Sequence, residues 1–307
     1  MTAVPNVRSQ KSTNVRFHVA PSPIRLAFTL LDRAAPTLAA RWAERIWFTL
    51  PKRHPSPDGP GPGSGTPPGG RPFTVDAGGR TVAGRVWGDG PAVYLVHGWA
   101  GHAGQLTAFV APLVAQGLRV IAYDAPSHGA SGPGAYGPRS SSIPEFAAAL
   151  TAVVAAHGPA HALIAHSMGA TAAAVALCDG LSAGRVVLLA PMASPESYAR
   201  GLAATLGLGQ SAYRRMVARV ERRVGAPMRQ FDVPELGRAI AMPPTLVVHD
   251  RGDRFTPSTD GAAIAAAWPS ARLRLTDGLG HRRLLTDPAV VAEVVDFAGA
   301  GARVAQA

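Results

Sequence analysis

Short, continuously apolar segments recur along this chain, and most are separated by a helical pattern. The clearest of them cover residues 92–98 (AVYLVHG), 118–124 (LRVIAYD), 161–165 (HALIA), 185–191 (RVVLLAP) and 245–250 (TLVVHD). A strand that is apolar on both faces has to be covered on both faces, which is typical of a parallel sheet between two layers of helices. The sequence therefore predicts an α/β fold with a mostly parallel sheet flanked by helices.

Turn and cap residues mark further elements. Residues 72–90 alternate around Gly78-Gly79, which indicates a hairpin. Ser142 and Glu145 form a capping-box pair at the start of a helix. Asp287 and Pro288 supply an N-cap and an N1 proline for a final helix, which follows a last strand at 271–275.

The 307 residues suffice for one large α/β domain with appendages. More than fifty residues separate the strands at 185–191 and 245–250, more than a plain crossover needs, so we expect a helical insertion that caps one end of the sheet. In chain order we predict a disordered basic tail (1–21), a helical segment (22–50), a Pro/Gly linker (51–71), an α/β core (72–194 and 242–307) and a helical cap (195–241).

The helical segment at 22–50 carries apolar residues at intervals of three to four, and Pro36 should divide it into two helices or kink it. We expect it to dock on the core. The alternative is an interfacial helix on an anionic membrane surface. We favour docking because Pro36 interrupts the amphipathic pattern and because Asp32 and Glu44 dilute the charge. The predicted contact residues are Leu31, Leu38, Trp42 and Ile46.

The formal net charge of +11 could indicate nucleic acid or a membrane as partner. Only two of the thirty basic residues are lysine, which is typical of a GC-rich bacterial genome, and no nucleic-acid-binding motif is present, so we expect no nucleic-acid partner.

The single Cys178 excludes an intrachain disulfide. Neither a secretory signal nor a membrane span is visible, which favours a cytoplasmic location. The oligomeric state stays open.

The stretch HALIAHSMGA (161–170) runs a buried strand directly into a helix of small residues. Such a strand–turn–helix places Ser167 at its apex, with the hydroxyl exposed at the carboxyl end of the sheet. Small residues are needed on both sides because the backbones of strand and helix nearly touch, and Ala165 and Gly169 meet that need. A serine hydroxyl becomes a nucleophile at neutral pH only with a general base, which in turn needs an orienting carboxylate.

From about residue 72 to 300 the chain resembles the α/β-hydrolase superfamily, whose nucleophile elbow is G-x-S-x-G. Ala165 replaces the first glycine of that motif, and GLGHRR around His281 resembles a bacterial subgroup with a proline-rich N-terminal extension. The resemblance implies Ser167 as nucleophile, His281 as base and Asp253 as the orienting acid. Asp250 is the rival acid; we prefer Asp253 because it stands four residues before a proline, as in the family.

The resemblance also implies an oxyanion hole formed by the backbone amides of Met168 and Trp99. His97 should be structural, and YDAPSHGASG (123–132) resembles the family's D-x-P-G-H-G-x-S loop with Ser127 in place of a glycine. His166 should point away from the site, because side chains alternate along a strand.

The function implied is hydrolysis of small to medium, largely apolar carboxylic esters through an acyl-enzyme, with no metal or organic cofactor. Thioesterase, perhydrolase or carbon–carbon hydrolase activity with the same triad, and a non-catalytic binding protein, are the alternatives.

Apolar pocket candidates are Trp99, Met168 and Met192. The cap arginines should form a solvated outer face; turned inward, they would indicate an anionic substrate. They are Arg214, Arg215, Arg219, Arg222 and Arg223.

Overall fold

A computed structural model describes residues 21–51, 67 and 69–302. Most of the predicted basic tail (1–21) and of the predicted linker (51–71) lies outside the described residues. The remaining segments form one sheet, two layers of helices that cover it, and helices above its carboxyl end.

The sheet has eight strands within the described residues, in the order β1-β2-β4-β3-β5-β6-β7-β8. Strands β3 to β8 run parallel to one another, and β2 pairs antiparallel with both β1 and β4. The predicted hairpin and the predicted mostly parallel sheet are therefore confirmed. The strands are β1 (Arg71–Asp76), β2 (Thr81–Trp87), β3 (Ala92–Val96), β4 (Arg119–Tyr123), β5 (Ala160–His166), β6 (Ala183–Leu189), β7 (Thr245–Asp250) and β8 (Ala271–Thr276).

Helices cover both faces of this sheet and also precede it. The α-helices are α1 (Ser22–Ala34), α2 (Pro36–Phe48), α3 (Val110–Ala115), α4 (Ile143–His157), α5 (Met168–Cys178), α6 (Pro195–Leu206), α7 (Gln210–Val224), α8 (Val233–Ala239), α9 (Ser258–Ala267), α10 (Gly280–Arg283) and α11 (Pro288–Gly299). Two short 3₁₀ helices, Ala103–Phe109 and Met228–Phe231, precede α3 and α8.

Two apolar clusters hold the sheet between its helices. One face packs against α4 and α5 through residues such as Phe146 and Leu150. The other packs against α3 and α11 through residues such as Leu113 and Val294. Strands β3 and β7 are buried along their whole length, as continuously apolar segments require. Both predicted helix starts are formed: the Ser142 hydroxyl accepts from the Glu145 amide, and the Asp287 carboxylate accepts from the amides of Ala289 and Val290.

Helices α6, α7 and α8 fill the stretch between β6 and β7. Helices α1 and α2 pack against α6 and α7 and form a third apolar cluster with them. The two N-terminal helices meet at Ala35, so Pro36 divides the segment as predicted. The domain boundaries drawn from the sequence stay a prediction.

The predicted contact face of the N-terminal helices is wrong in part. Leu38 and Trp42 are exposed, at 52% and 38% of their full surface. The buried positions of α2 include Ala39 and Ala43, whereas Phe28 is the one buried residue of α1. Alanines let two helix backbones approach closely, so α2 uses its small residues, and not its largest apolar ones, against α7.

The predicted solvated face of cap arginines is also wrong at two positions. Arg219 Nε lies 2.6 Å from Glu44 Oε2, and Arg223 Nη1 lies 3.6 Å from Glu44 Oε1. Glu44 on α2 is 7% exposed. These two arginines therefore pair with a buried carboxylate of the N-terminal segment, while Arg214, Arg215 and Arg222 are exposed as expected.

Past α2 the chain is joined to the core by backbone hydrogen bonds. Thr49 forms an antiparallel bridge with Ser140, and the Leu50 amide donates to the Arg139 carbonyl at 2.8 Å. The Arg139 guanidinium donates in return to the Leu50 carbonyl at 2.6 Å. The end of the N-terminal segment is thus fixed beside the loop that precedes α4.

Candidate active site

Ser167 lies between the last residue of β5 and the first residue of α5. Its backbone has φ 55° and ψ −124°, a left-handed conformation that a non-glycine residue rarely adopts. Strain of this kind costs about 1–3 kcal/mol and persists where the surrounding structure enforces it. Here the Ser167 amide donates to the Leu189 carbonyl at 2.9 Å, which ties the turn to strand β6.

Two glycines make room for the turn at Ser167. A Cβ on Gly169 would lie 2.4 Å from the His97 carbonyl oxygen, and a Cβ on Gly98 would lie 2.7 Å from the Ser167 Cβ. Both distances are far below van der Waals contact. Ala165, which replaces the first glycine of the family motif, is fully buried.

Asp253 and His281 are in direct contact. The Asp253 Oδ2 lies 2.7 Å from His281 Nδ1, and the Asp253 Oδ1 accepts from the amides of Phe255 and Thr256 at 2.7 and 3.0 Å. Burial raises the pKa of Asp253, but the side chains of His249 and His281 outweigh it, so the pKa lies well below its ordinary value. Asp253 is therefore a carboxylate at neutral pH, and His281 carries its proton on Nδ1.

Asp250 has a different set of partners. Its Oδ2 accepts from the Thr276 hydroxyl at 2.8 Å and from the Leu279 amide at 2.9 Å. Its Oδ1 accepts from the Gly252 amide at 2.8 Å. Asp250 thus braces the turn after β7 and the loop that leads to His281.

The sequence reasoning missed Thr256. Its hydroxyl lies 2.9 Å from Asp253 Oδ2, 3.1 Å from His281 Nδ1 and 3.2 Å from the Ala190 carbonyl oxygen. The hydroxyl donates to the Asp253 carboxylate and contacts both this carboxylate and the His281 imidazole. A threonine three residues after an aspartate has no distinguishing pattern, so no sequence signal could have found it.

The prediction that His166 points away from the site is wrong. Its Nε2 lies 3.1 Å from the His281 carbonyl oxygen, and the two rings lie 4.6 Å apart. Burial lowers the pKa of His166 well below its ordinary value, so the ring is neutral and Nε2–H donates to that carbonyl. His166 holds the backbone of the loop that carries His281.

Two further histidines fix the loop that follows β3. His97 Nδ1 lies 2.7 Å from the Gly98 carbonyl, and its Nε2 accepts from the Ala125 amide at 2.9 Å. His128 Nε2 accepts from the Ala100 amide at 3.1 Å. Burial lowers the pKa of His97 to about 4, which keeps this ring neutral. Trp99 lies within the loop that these bonds hold, and Met168 is the first residue of α5.

A cavity of about 450 Å³ opens beside Ser167 and His281. The three predicted pocket residues, Trp99, Met168 and Met192, all line it. Cap residues such as Tyr198, Leu202 and Phe231 form its roof. Among the described lining residues, the charged side chains are those of Arg254 and Arg282, and both are exposed.

The N-terminal segment lines this cavity as well, which the sequence did not indicate. Ile46, Trp47, Phe48 and Pro51 contribute to its wall. They are held there by the Glu44 ion pairs with α7 and by the backbone bridge to residues 139–140. The pocket is therefore enclosed by three parts of the chain: the sheet edge, the helices between β6 and β7, and the end of α2.

Within the described ranges, no group of three or more histidine, cysteine or acidic side chains has the spacing of a metal site. No helix in the same ranges is long and apolar enough to cross a membrane.

Comparisons with known proteins identify the family and the fold. Residues 93–294 match the model of the alpha/beta hydrolase family. The esterase RhEst1 from Rhodococcus sp. ECU1013 superposes with a TM-score of 0.55 at 22% identity, over 75% of this chain and 98% of its own. An esterase from Exiguobacterium antarcticum superposes with a TM-score of 0.56 at 15% identity, over 74% of this chain and 98% of its own. A bromoperoxidase from Bacillus anthracis superposes with a TM-score of 0.56 at 16% identity, over 73% of this chain and 98% of its own. No curated protein matches the chain. These likenesses show a shared fold.

Proposed function

The chain belongs to the alpha/beta hydrolase family, and we propose that it is a serine hydrolase that cleaves small to medium carboxylic esters through an acyl-enzyme. The observation that carries the proposal is the 2.7 Å contact between Asp253 and His281 at the rim of the cavity that also contains the strained Ser167. This combination supports nucleophile, base and orienting acid at one end of the sheet.

In the proposed reaction, His281 Nε2 takes the proton of the Ser167 hydroxyl as its oxygen attacks the ester carbonyl carbon. Asp253 keeps the proton of His281 on Nδ1, which leaves Nε2 free to accept. The imidazolium then gives its proton to the departing alkoxide, and an acyl-Ser167 ester remains. Water attacks that ester with His281 again as base, which releases the acid and restores the serine.

The negative charge that develops on the carbonyl oxygen needs hydrogen-bond donors that are already in place. We propose the backbone amides of Met168 and Trp99 for this part. The N-terminal position of Met168 on the eleven-residue helix α5 supports the first, because a helix N-terminus stabilises negative charge. The loop of Trp99, which is held by His97 and His128, supports the second.

The cavity supports the proposed substrate class. Its volume of about 450 Å³ lies in the lower part of the range for small-molecule sites, and its interior is mostly apolar. The carbonyl and the reacting bond would lie at Ser167, and an apolar acyl or alkyl group would fill the space under Tyr198 and beside Trp47.

The test is covalent labelling of Ser167 together with turnover. We expect a fluorophosphonate to label the wild-type protein once per chain and to leave Ser167→Ala unlabelled. Hydrolysis of p-nitrophenyl butyrate should fall by about 10⁴- to 10⁶-fold in Ser167→Ala while the melting temperature is kept. Retention of a tenth of the activity in that variant would exclude Ser167 as nucleophile. Faster turnover of a thioester with the same acyl group than of the ester would indicate a thioesterase.

A further inference from the structure

Helices α1 and α2 turn large apolar side chains away from the rest of the protein. Leu26 and Leu30 on α1 are 60% and 56% exposed, and Leu38 on α2 is 52% exposed. Trp42 is 38% exposed and stacks on Phe28 of α1 with 4.4 Å between ring centroids. We call this surface the outer face, which consists of Leu26, Leu30, Arg33, Leu38, Arg41, Trp42 and Arg45.

Helical spacing groups these residues on one side of each helix. On α1 they occupy positions i, i+4 and i+7, and on α2 they occupy i, i+3, i+4 and i+7. The opposite sides are buried against the cap, through Phe28 on α1 and through Ala39 and Ala43 on α2. Both helices are therefore apolar on two sides, and apart from the stacking of Trp42 on Phe28 only one side of each is used for packing within the protein.

The charge on the outer face is of one sign. Residues 21–51 contain two acidic side chains, and both are turned toward the cap. Asp32 Oδ1 accepts from the Ala212 amide at 3.2 Å, and Glu44 is buried against Arg219. Arg33, Arg41 and Arg45 are exposed, so the outer face carries three arginines and no carboxylate. Asp32 and Glu44 lie among these arginines in the sequence, but in the fold they do not neutralise them.

We propose that the outer face binds the surface of an anionic lipid bilayer. Leucine and tryptophan side chains of an amphipathic helix enter the boundary between headgroups and acyl chains, and flanking arginines bind lipid phosphates. The docking that we prefer from the sequence is present in the fold, and lipid binding is added to it, because Asp32 and Glu44 no longer dilute the charge on the outer face. Helices α1 and α2 pack on the cap with one side and bind lipid with the other.

Charge also argues against two other occupants. Residues 1–20 contain Arg8, Lys11 and Arg16 and no acidic residue, so they cannot neutralise the outer face. A second copy of this chain, which has a net charge of +11, would bring the same arginines to a two-fold contact. An anionic bilayer satisfies both the apolar and the basic side chains at once.

The test is flotation of the full-length protein with vesicles of phosphatidylcholine alone and with vesicles that also contain phosphatidylglycerol. We expect binding to the anionic vesicles only, and weaker binding as salt is added. The combined variant Arg33→Gln, Arg41→Gln, Arg45→Gln should reduce the partition coefficient by at least about tenfold. The control Arg214→Gln, Arg215→Gln, Arg222→Gln removes the same charge from exposed positions on α7 and should leave the coefficient unchanged.

The apolar half of the surface has its own variants. Leu30→Ser combined with Leu38→Ser should reduce binding by at least about tenfold, since each leucine contributes its buried apolar area. Leu273→Ser, at an exposed leucine on β8, should have no effect. Equal binding to both kinds of vesicle, or equal losses in the two arginine variants, would overturn the proposal. A dimer in solution that becomes a monomer in the leucine variant would also overturn it, in favour of a second copy.

Discussion

Asp253→Asn tests the proposed acid more sharply than removal of the whole side chain would, because the neighbouring backbone amides fix the orientation of the new side-chain amide. The Asp253 Oδ1 accepts from two backbone amides, at 2.7 and 3.0 Å. An asparagine must keep its carbonyl oxygen there, since its NH₂ group cannot accept from N–H donors. The NH₂ group then faces His281 Nδ1 at the place of the present 2.7 Å contact.

The consequence is a change of tautomer. A donor opposite Nδ1 makes that nitrogen the acceptor, so the proton of the neutral ring moves to Nε2. That nitrogen can then no longer accept the proton of Ser167. We expect kcat/KM for p-nitrophenyl butyrate to fall by about 10³- to 10⁴-fold, which corresponds to about 4–5.5 kcal/mol of transition-state stabilisation.

Asp250→Asn is the matched control. It makes the same chemical change three residues away, at a carboxylate that braces the loop and does not contact His281 through any hydrogen bond that the described residues show. It should cost less than about tenfold in kcat/KM but should lower the melting temperature, because one of its backbone or hydroxyl donors loses its acceptor. Activity should be measured well below both melting temperatures. A larger loss in Asp250→Asn than in Asp253→Asn would refute the assignment.

Three further outcomes are expected. Trp47→Ala should enlarge the pocket and raise the ratio of kcat/KM for p-nitrophenyl decanoate to kcat/KM for the butyrate by about tenfold. Trp42→Ala, on the same helix but outside the pocket wall, should leave that ratio unchanged. The same ratio in both variants would contradict a pocket wall at Trp47. Thr256→Val should reduce kcat by about tenfold with little change in KM, because Asp253 loses a hydroxyl donor; an unchanged kcat would show that the hydroxyl only packs. His97 has a pKa of about 4 when folded and 6.5 when unfolded, so the unfolded chain binds more protons between these values and stability falls as the pH falls. On the order of 2 kcal/mol of unfolding free energy should be lost by pH 5 in urea titrations, and His97→Gln should flatten that loss.

The sheet and the turn at Ser167 could be predicted because their signals are local. Short apolar segments such as those of β3 and β7 are typical of parallel strands covered on both faces, and a strand that passes directly into small residues is typical of a tight turn. The choice of Asp253 over Asp250 needed the family pattern, since both follow the same strand. The distances around His281 support that choice.

The error at His166 has a different origin. Side chains do alternate along β5, and His166 lies on the same face as Ala162 and Ile164, which belong to the second apolar cluster. Leu284 and Leu285, which follow His281, belong to that cluster as well. The loop after β8 therefore brings His281 over the face to which His166 points. Alternation gives the face of a side chain, but which loop covers that face depends on long-range packing.

The N-terminal segment shows the same limit more strongly. Periodicity gives most weight to large apolar residues, so it selected the side of α2 that contains Leu38 and Trp42, whereas the fold buries the alanine side. Alanine contributes little to a hydrophobic pattern, yet it permits the close approach to α7 that brings Glu44 to Arg219 and the end of α2 to the pocket. Glu44 and Arg219 are 175 residues apart, so no local pattern could have paired them. Once they are paired, their charges cancel inside the protein, and the arginines left outside decide what the segment can bind.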